Sequence, residues 1–283
     1  MGIDYEAMVA KQAAHALPGR VVRNITGPGK IYEFGGGVPD PDAFPTEGLQ
    51  QAAVEALSQG GRDLVLYPGP LGYDGLREVV ARRLKIYEAL EVSPDNIMIT
   101  SGSMQAIQLL SEVLLDPGDT VVVEGLSYMG ALRVFRRGNA RLVGVPTDDQ
   151  GICTDKLEET LAELNAKGIK PKLLYLIPSF QNPTGVTYSL ERRQEAVRIA
   201  KRYGVLILED DSYVELRFEG EWLPSMYSLD TEGLVVRVGT FSKIVGAGVR
   251  QAWALAPTPL LHRMQGVKID GGTNALASRI IAA

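Results

Sequence analysis

The chain has 283 residues, of which 45% are hydrophobic and 22% charged, and it carries a net charge of −5. This is the composition of a globular protein with a sizeable core, and it excludes collagen-like, disordered and disulfide-stapled classes. The acidic balance and the lack of a basic tract argue against nucleic acid or anionic lipid as partners, since both repel a negative field. Cys153 is the single cysteine, so no internal disulfide can form and a reducing, cytoplasmic setting is expected. Apolar runs such as 173–177 are too short to span a bilayer, and Asp4 and Glu6 stand where an export signal would be basic, so no membrane association is expected. His15 and His262 are the two histidines, which rules out a three-histidine metal centre; no metal is expected.

Residues 1–45 are rich in Gly and Pro, including Gly27, Gly35, Gly36, Gly37, Pro39 and Pro45, and read as an irregular arm with part of a small domain. Thr46 is placed to cap a helix with Leu49, Ala53 and Leu57 at helical spacing, ended by Gly60-Gly61. A second helix is predicted over 73–90, with Leu76, Val80, Leu84 and Tyr87 on one stripe. Strands are predicted at 96–100, 120–124, 141–145, 173–177, 205–209, 234–238 and 252–256. Helices are predicted between them at 104–115, 128–136, 155–165 and 190–203. Apolar strands alternating with amphipathic helices predict an α/β fold with a mostly parallel central sheet covered by helices on both faces. The regular domain is expected over 46–257, and 258–283 reads as the start of a connecting helix.

In a parallel α/β sheet, ligands sit beyond the carboxyl ends of the strands. After the first strand comes Ser101-Gly102-Ser103-Met104-Gln105, a small-residue turn opening a helix whose free N–H groups suit a phosphate; a plain strand-to-helix turn is the structural alternative. Gly125-Leu126-Ser127-Tyr128-Met129 approaches a nucleophile elbow, but Met129 replaces its second glycine, which disfavours a serine hydrolase. Tyr128 is left as either a packing tyrosine or a platform for a flat ring. Gln181-Asn182-Pro183-Thr184-Gly185 is a turn. Asp210 and Asp211 end an apolar strand, where two carboxylates need a cationic partner if buried. Thr240, Ser242 and Lys243 follow the next strand, with Arg250 beyond Gly246 and Gly248. No Walker loop or G-x-G-x-x-G is present.

Taken together, these residues resemble the class I/II aminotransferases of the fold-type I pyridoxal-phosphate enzymes, in the aminoadipate and kynurenine aminotransferase branch. The resemblance runs from Phe34-Gly35-Gly36-Gly37-Val38-Pro39 and Phe44-Pro45 through Tyr67-Pro68-Gly69 and Gly75-Leu76-Arg77. It continues at Ser103, Asn182-Pro183-Thr184-Gly185, Asp210-x-x-Tyr213 and Ser242-Lys243. It implies pyridoxal 5′-phosphate as cofactor and transfer of an amino group from an amino acid to a 2-oxo acid. Lys243 would hold the cofactor as an internal aldimine and then act as general base. Asp210 would pair with the pyridine nitrogen, while Tyr213 and Asn182 would bond the phenolic oxygen. Tyr128 would stack on the ring, and Ser103, Met104, Thr240, Ser242 and Arg250 would hold the phosphate. Asp211 would be structural. Gly36, with Asn182, would lie at the substrate carboxylate, and Tyr67 would reach the phosphate of a neighbouring subunit in a homodimer. A cis Asn182-Pro183 bond is also implied.

Thr240 departs from the serine usual in that branch, with its hydroxyl kept. The family continues into a C-terminal segment that supplies the arginine for the substrate α-carboxylate, so the chain is expected to lack part of the active site. Two other functions share the cofactor residues: lyase or decarboxylase chemistry at Cα, and a non-catalytic effector-binding domain like those of certain transcription regulators.

Overall fold

The structure, a computed structural model, describes residues 3–4, 6–10 and 37–283. Helix α1 (Thr46–Gly60) and helix α2 (Asp74–Glu88) precede the sheet, which begins with β1 (Ile97–Thr100) and its following helix α3 (Ser103–Leu114). Strand β2 (Thr120–Glu124), helix α4 (Met129–Arg137) and strand β3 (Arg141–Val145) complete that half. A small hairpin, β4 (Thr147–Asp148) with β5 (Gly151–Ile152), leads into α5 (Thr154–Ala166). Then come β6 (Leu173–Leu176), α6 (Leu190–Tyr203), β7 (Leu206–Asp210), the short α7 (Met226–Leu229), β8 (Val235–Thr240) and β9 (Ala252–Leu255). Helices α8 (Thr258–Val267) and α9 (Ala275–Ala282) follow. No helix among the described residues is long and apolar enough to cross a membrane.

Local chemistry accounts for several boundaries. Ser189 caps α6, its hydroxyl accepting from the Arg192 amide at 3.2 Å, and Gly204 ends the helix in the left-handed conformation. Thr46 is the first residue of α1 instead of its cap; its hydroxyl has only a long 3.5 Å contact to the Phe44 carbonyl. The chain does not stop at Gly60-Gly61 but tightens into a 3-10 turn through Val65.

The sheet has seven strands in the order β1-β9-β8-β7-β6-β2-β3. Strands β8, β7, β6, β2 and β3 pair in parallel, whereas β9 is antiparallel to both β1 and β8. All strands except β9 therefore end at one edge, and β9 begins there. Alternate residues divide the core between the faces. Val121, Leu173, Leu208 and Val236 pack under α3, α4 and α8, while Val122, Leu174, Ile207 and Val235 pack against α5 and α6. Leu76, Val80 and Leu84 of α2 cover Ile97, Ile99 and Trp253 near the β1 edge. Two residues of these apolar stripes are exposed: Leu57, at 51%, and Tyr87, at 55%. Helix α1 rests on α9 rather than on the sheet and buries Ala56 and Gly60 instead.

One ion cluster ties this frame together. Arg237 of β8, 1% exposed, donates to Glu88 at the end of α2 at 2.6 and 2.8 Å and to Asp211 beyond β7. Its guanidinium also lies 5.7 Å from the Trp253 ring centre. Asp211 thus has the cationic partner its burial requires. Removing the arginine would strand two buried carboxylates, which costs far more than the intact pair contributes. Arg237→Met is expected to lower unfolding free energy by about 3–5 kcal/mol in a denaturant titration. A loss below ~1 kcal/mol would show that the cluster is solvated.

Candidate active site

The carboxyl edge of the sheet opens into a cavity of about 570 Å³. Its floor is Asp210, the last residue of β7 and 3% exposed. Asp210 Oδ1 accepts from the Ser212 hydroxyl at 2.6 Å and Oδ2 from the Tyr175 hydroxyl at 2.8 Å. No salt bridge reaches it among the described residues. Burial raises its pKa above the usual carboxylate value, and the two hydroxyl donors only partly offset that.

Lys243 follows β8 in the turn that starts at Thr240. Its half-buried Nζ donates to the Gly37 carbonyl at 2.9 Å and lies 5.5 Å from the centre of the Tyr213 ring. Burial lowers the Lys243 pKa and the negative charge of Asp210 opposes the shift; the net direction favours the neutral amine. Tyr213 receives a 3.4 Å hydrogen bond from Asn182 Nδ2, so these two side chains form one polar wall. Asn182 stands at the start of a cis Asn182–Pro183 bond, as expected. Tyr128, at the beginning of α4, forms another part of the lining.

The opposite end is built from the start of α3 and the start of β9. Ser103 and Met104 are the first residues of α3, where backbone N–H groups have no intrahelical acceptor and the helix dipole is positive. Because β9 runs against its neighbours, Ala252 pairs with both Thr100 and Thr240, which brings Arg250 to the same edge. Arg250 Nη2 donates to the Ser101 carbonyl at 2.9 Å, and Thr240 Oγ1 meets Ser242 Oγ at 2.9 Å. Gly102, with φ +81°, leaves room for the guanidinium: a Cβ there would lie 2.0 Å from Arg250 Nη2.

Every sequence-predicted site residue among the described ones except Tyr67 lines this cavity. Tyr67 is 87% exposed and lies apart from it. Gly36 lies outside the described residues. Sequence reasoning missed the Gly37 carbonyl, Ser212, Gln181 and Tyr175. Gln181 sits beside Asn182 and could have been found from the turn. Tyr175 had one signal, the only polar tip in the Leu173–Leu176 run.

Gln181 joins the two sides of the cavity. Its Nε2 donates to Glu124 Oε2 at 3.1 Å and to the Leu126 carbonyl at 2.6 Å, and its Oε1 accepts from the Thr184 amide and hydroxyl, both at 2.8 Å. All four hydrogen-bonding positions of the amide are used. Tyr188 donates to Glu124 Oε1 at 2.6 Å. Glu124 therefore clamps the Asn182 turn to the loop that carries Tyr128. Ser127, the serine of the elbow-like sequence, is buried and points its hydroxyl at Glu124 at 3.4 Å.

The profile of the family Aminotransferase class I and II matches residues 35–283. The chain belongs to that family. It is 35% identical over 284 residues to aromatic-amino-acid aminotransferase 1 of Thermococcus litoralis, covering 99% of this chain and 68% of that one. It is 37% identical over 253 residues to the uncharacterized HTH-type transcriptional regulator YisV of Bacillus subtilis, covering 87% of this chain and 50% of that one. Its fold matches the crystal structure of the multiple substrate aminotransferase from Thermococcus profundus with a TM-score of 0.90 at 33% identity, covering 99% of this chain and 70% of that chain. The chain thus spans between half and about two-thirds of the length of these relatives. The fold is that of the fold-type I aminotransferases.

Burial pushes the Glu124 carboxyl up from 4.5 to about 7, with the Tyr188 and Gln181 donors partly offsetting it. Between those values the folded protein holds a proton that the unfolded chain has lost, so stability falls as pH rises through the window. Glu124→Gln removes that slope. From pH 5 to pH 8 the stability of the variant relative to wild type is expected to improve by roughly 3 kcal/mol. Denaturant titrations at the two pH values check this, and a constant difference would place the titration elsewhere.

Proposed function

We propose that this site holds pyridoxal 5′-phosphate and that the protein moves an amino group from an amino acid to a 2-oxo acid. The observation that carries the reading is the convergence of Lys243, buried Asp210 and the Arg250–α3 corner on one cavity of ring-and-phosphate size. The donor set fits the group. A buried carboxylate without a cation matches a protonated pyridine nitrogen, and free helix N–H groups beside a guanidinium match a phosphate.

When bound, the cofactor supplies an electron sink for the pair left at the amino acid Cα after a bond there breaks. Asp210 would keep the ring nitrogen protonated, which that sink requires. Asn182 and Tyr213 would hydrogen-bond the ring's phenolic oxygen, and Tyr128 would stack on the ring. Ser103, Met104, Thr240, Ser242 and Arg250 would anchor the phosphate. Lys243 Nζ would hold the cofactor, and as a free amine it would carry the substrate Cα proton. Its lowered pKa serves both tasks, because each needs the neutral amine. Asn182, with Gly36 as the family resemblance implies, would lie at the substrate carboxylate. The exposed Tyr67 supports a homodimer in which it completes the phosphate site of the neighbouring subunit, and the lone Cys153 supports a cytoplasmic setting.

The likeness to the regulator YisV supports a second reading, an aminotransferase-like domain that senses an effector without turnover. Amino acids added to the cofactor-loaded protein separate the two. Transfer converts the cofactor to its amine form, with loss of the visible band and release of a 2-oxo acid, whereas sensing leaves it unconverted.

Lys243→Ala is expected to abolish the visible absorbance of the linked cofactor while the protein stays folded. An unchanged band would overturn the assignment. Arg250→Ala is expected to weaken cofactor binding by roughly 1.5–3 kcal/mol, the range for hydrogen bonds to a charged group. Equilibrium dialysis measures it, and unaltered retention would remove Arg250 from the phosphate site.

A further inference from the structure

Tyr175 is a fully buried tyrosine in the middle of the sheet, 0% exposed, with its ring edge-on to Phe135 at 5.5 Å. It lies on β6, opposite Leu208 of β7 and Val123 of β2. Its hydroxyl is carried past that row to Asp210 Oδ2, 2.8 Å away, and makes no other hydrogen bond among the described residues. A phenol in an apolar layer costs free energy unless its O–H finds an acceptor. Here the acceptor is Asp210, the one buried carboxylate among the described residues that lines the cavity.

We propose that Tyr175 is a positioning residue for Asp210, holding it as an ionised carboxylate in a fixed orientation toward the cavity. The inference rests on the cofactor reading. A hydroxyl donor on each oxygen, Tyr175 on one and Ser212 on the other, stops the carboxylate from rotating and favours its charged form. Lys243, Tyr128, Tyr213 and Asp211 are the other titratable groups that act on Asp210 or feel its charge. None of them donates a hydrogen bond to it. The hydroxyl pair is therefore what orients Asp210 to accept a hydrogen bond from a ring N–H while the proton stays on nitrogen.

Tyr175→Phe keeps the ring and its packing and removes one O–H. In the cofactor-free protein, the 13C resonance of the Asp210 carboxyl, assigned with Asp210→Asn, is expected to titrate about one pH unit higher than in wild type. In the loaded protein, the 15N resonance of the ring nitrogen is expected to move from the protonated toward the unprotonated position, with roughly tenfold weaker binding of pyridoxal 5′-phosphate. Site-specific 3-fluorotyrosine at 175, a more acidic donor, is expected to shift the carboxyl titration the opposite way, and it serves if the Phe variant does not fold. Unchanged carboxyl and ring-nitrogen signals in a loaded variant overturn the role of Tyr175 and leave the cofactor reading standing. A wild-type protein that takes up no pyridoxal 5′-phosphate overturns the cofactor reading, and the role with it.

Discussion

Two adjacent carboxylates, Asp210 and Asp211, are buried together where β7 ends, and the surrounding structure is arranged to divide their charge. Successive residues of a strand point to opposite faces. Asp211 turns to the side where Arg237 and Glu88 form the buried ion cluster, so its charge is neutralised by the protein itself. Asp210 turns to the cavity and, among the described residues, receives hydrogen bonds from Tyr175 and Ser212 but no cation. Its charge is stabilised in part and left available. A cationic ligand atom at that point would gain what the protein withholds, which makes Asp210 the anchor of the site.

The opposite pole is positive for equally elementary reasons. Helix α3 begins at Ser103 with unpaired amides, and Arg250 enters from β9. Had β9 run parallel to β8, its first residues would lie at the far edge of the sheet and Arg250 could not reach the Ser101 carbonyl. The single reversed strand is thus what closes the anion-binding corner. Lys243 stands between the poles, where partial burial lowers its pKa and Asp210 limits the shift. An acidic site at one end, a basic one at the other and an amine between them match a ligand with a protonated ring, a phosphate and an aldehyde.

The walls are held by hydrogen bonds more than by packing. Gln181 uses all of its amide positions to join Glu124, Leu126 and Thr184, and Tyr188 bonds the same glutamate. Cavities cannot be filled by apolar side chains without losing their purpose, so buried polar networks at their margins set the spacing of facing loops. Glu124 has this function beneath the loop of Tyr128 and the turn of Asn182.

What the sequence by itself determined was the set of elements and the chemistry at their ends. Periodicity placed β2, β3 and α6 over the residues they occupy, because a strand or helix covered on one side must repeat its apolar residues at its own period. Polar residues after each apolar run marked the edge, and Lys243, Asp210, Asn182 and Arg250 could be read there. Tertiary structure alone decided the direction of β9, the exposure of Leu57 and Tyr87, the seating of α1 on α9 and the partners Arg237 and Glu88 that neutralise Asp211. It also decided Tyr175 and Glu124, whose partners lie 35 and 57–64 positions away along the chain. A local pattern records which face of an element is apolar, but it holds no information on which distant strand will lie beside it or which way that strand will run.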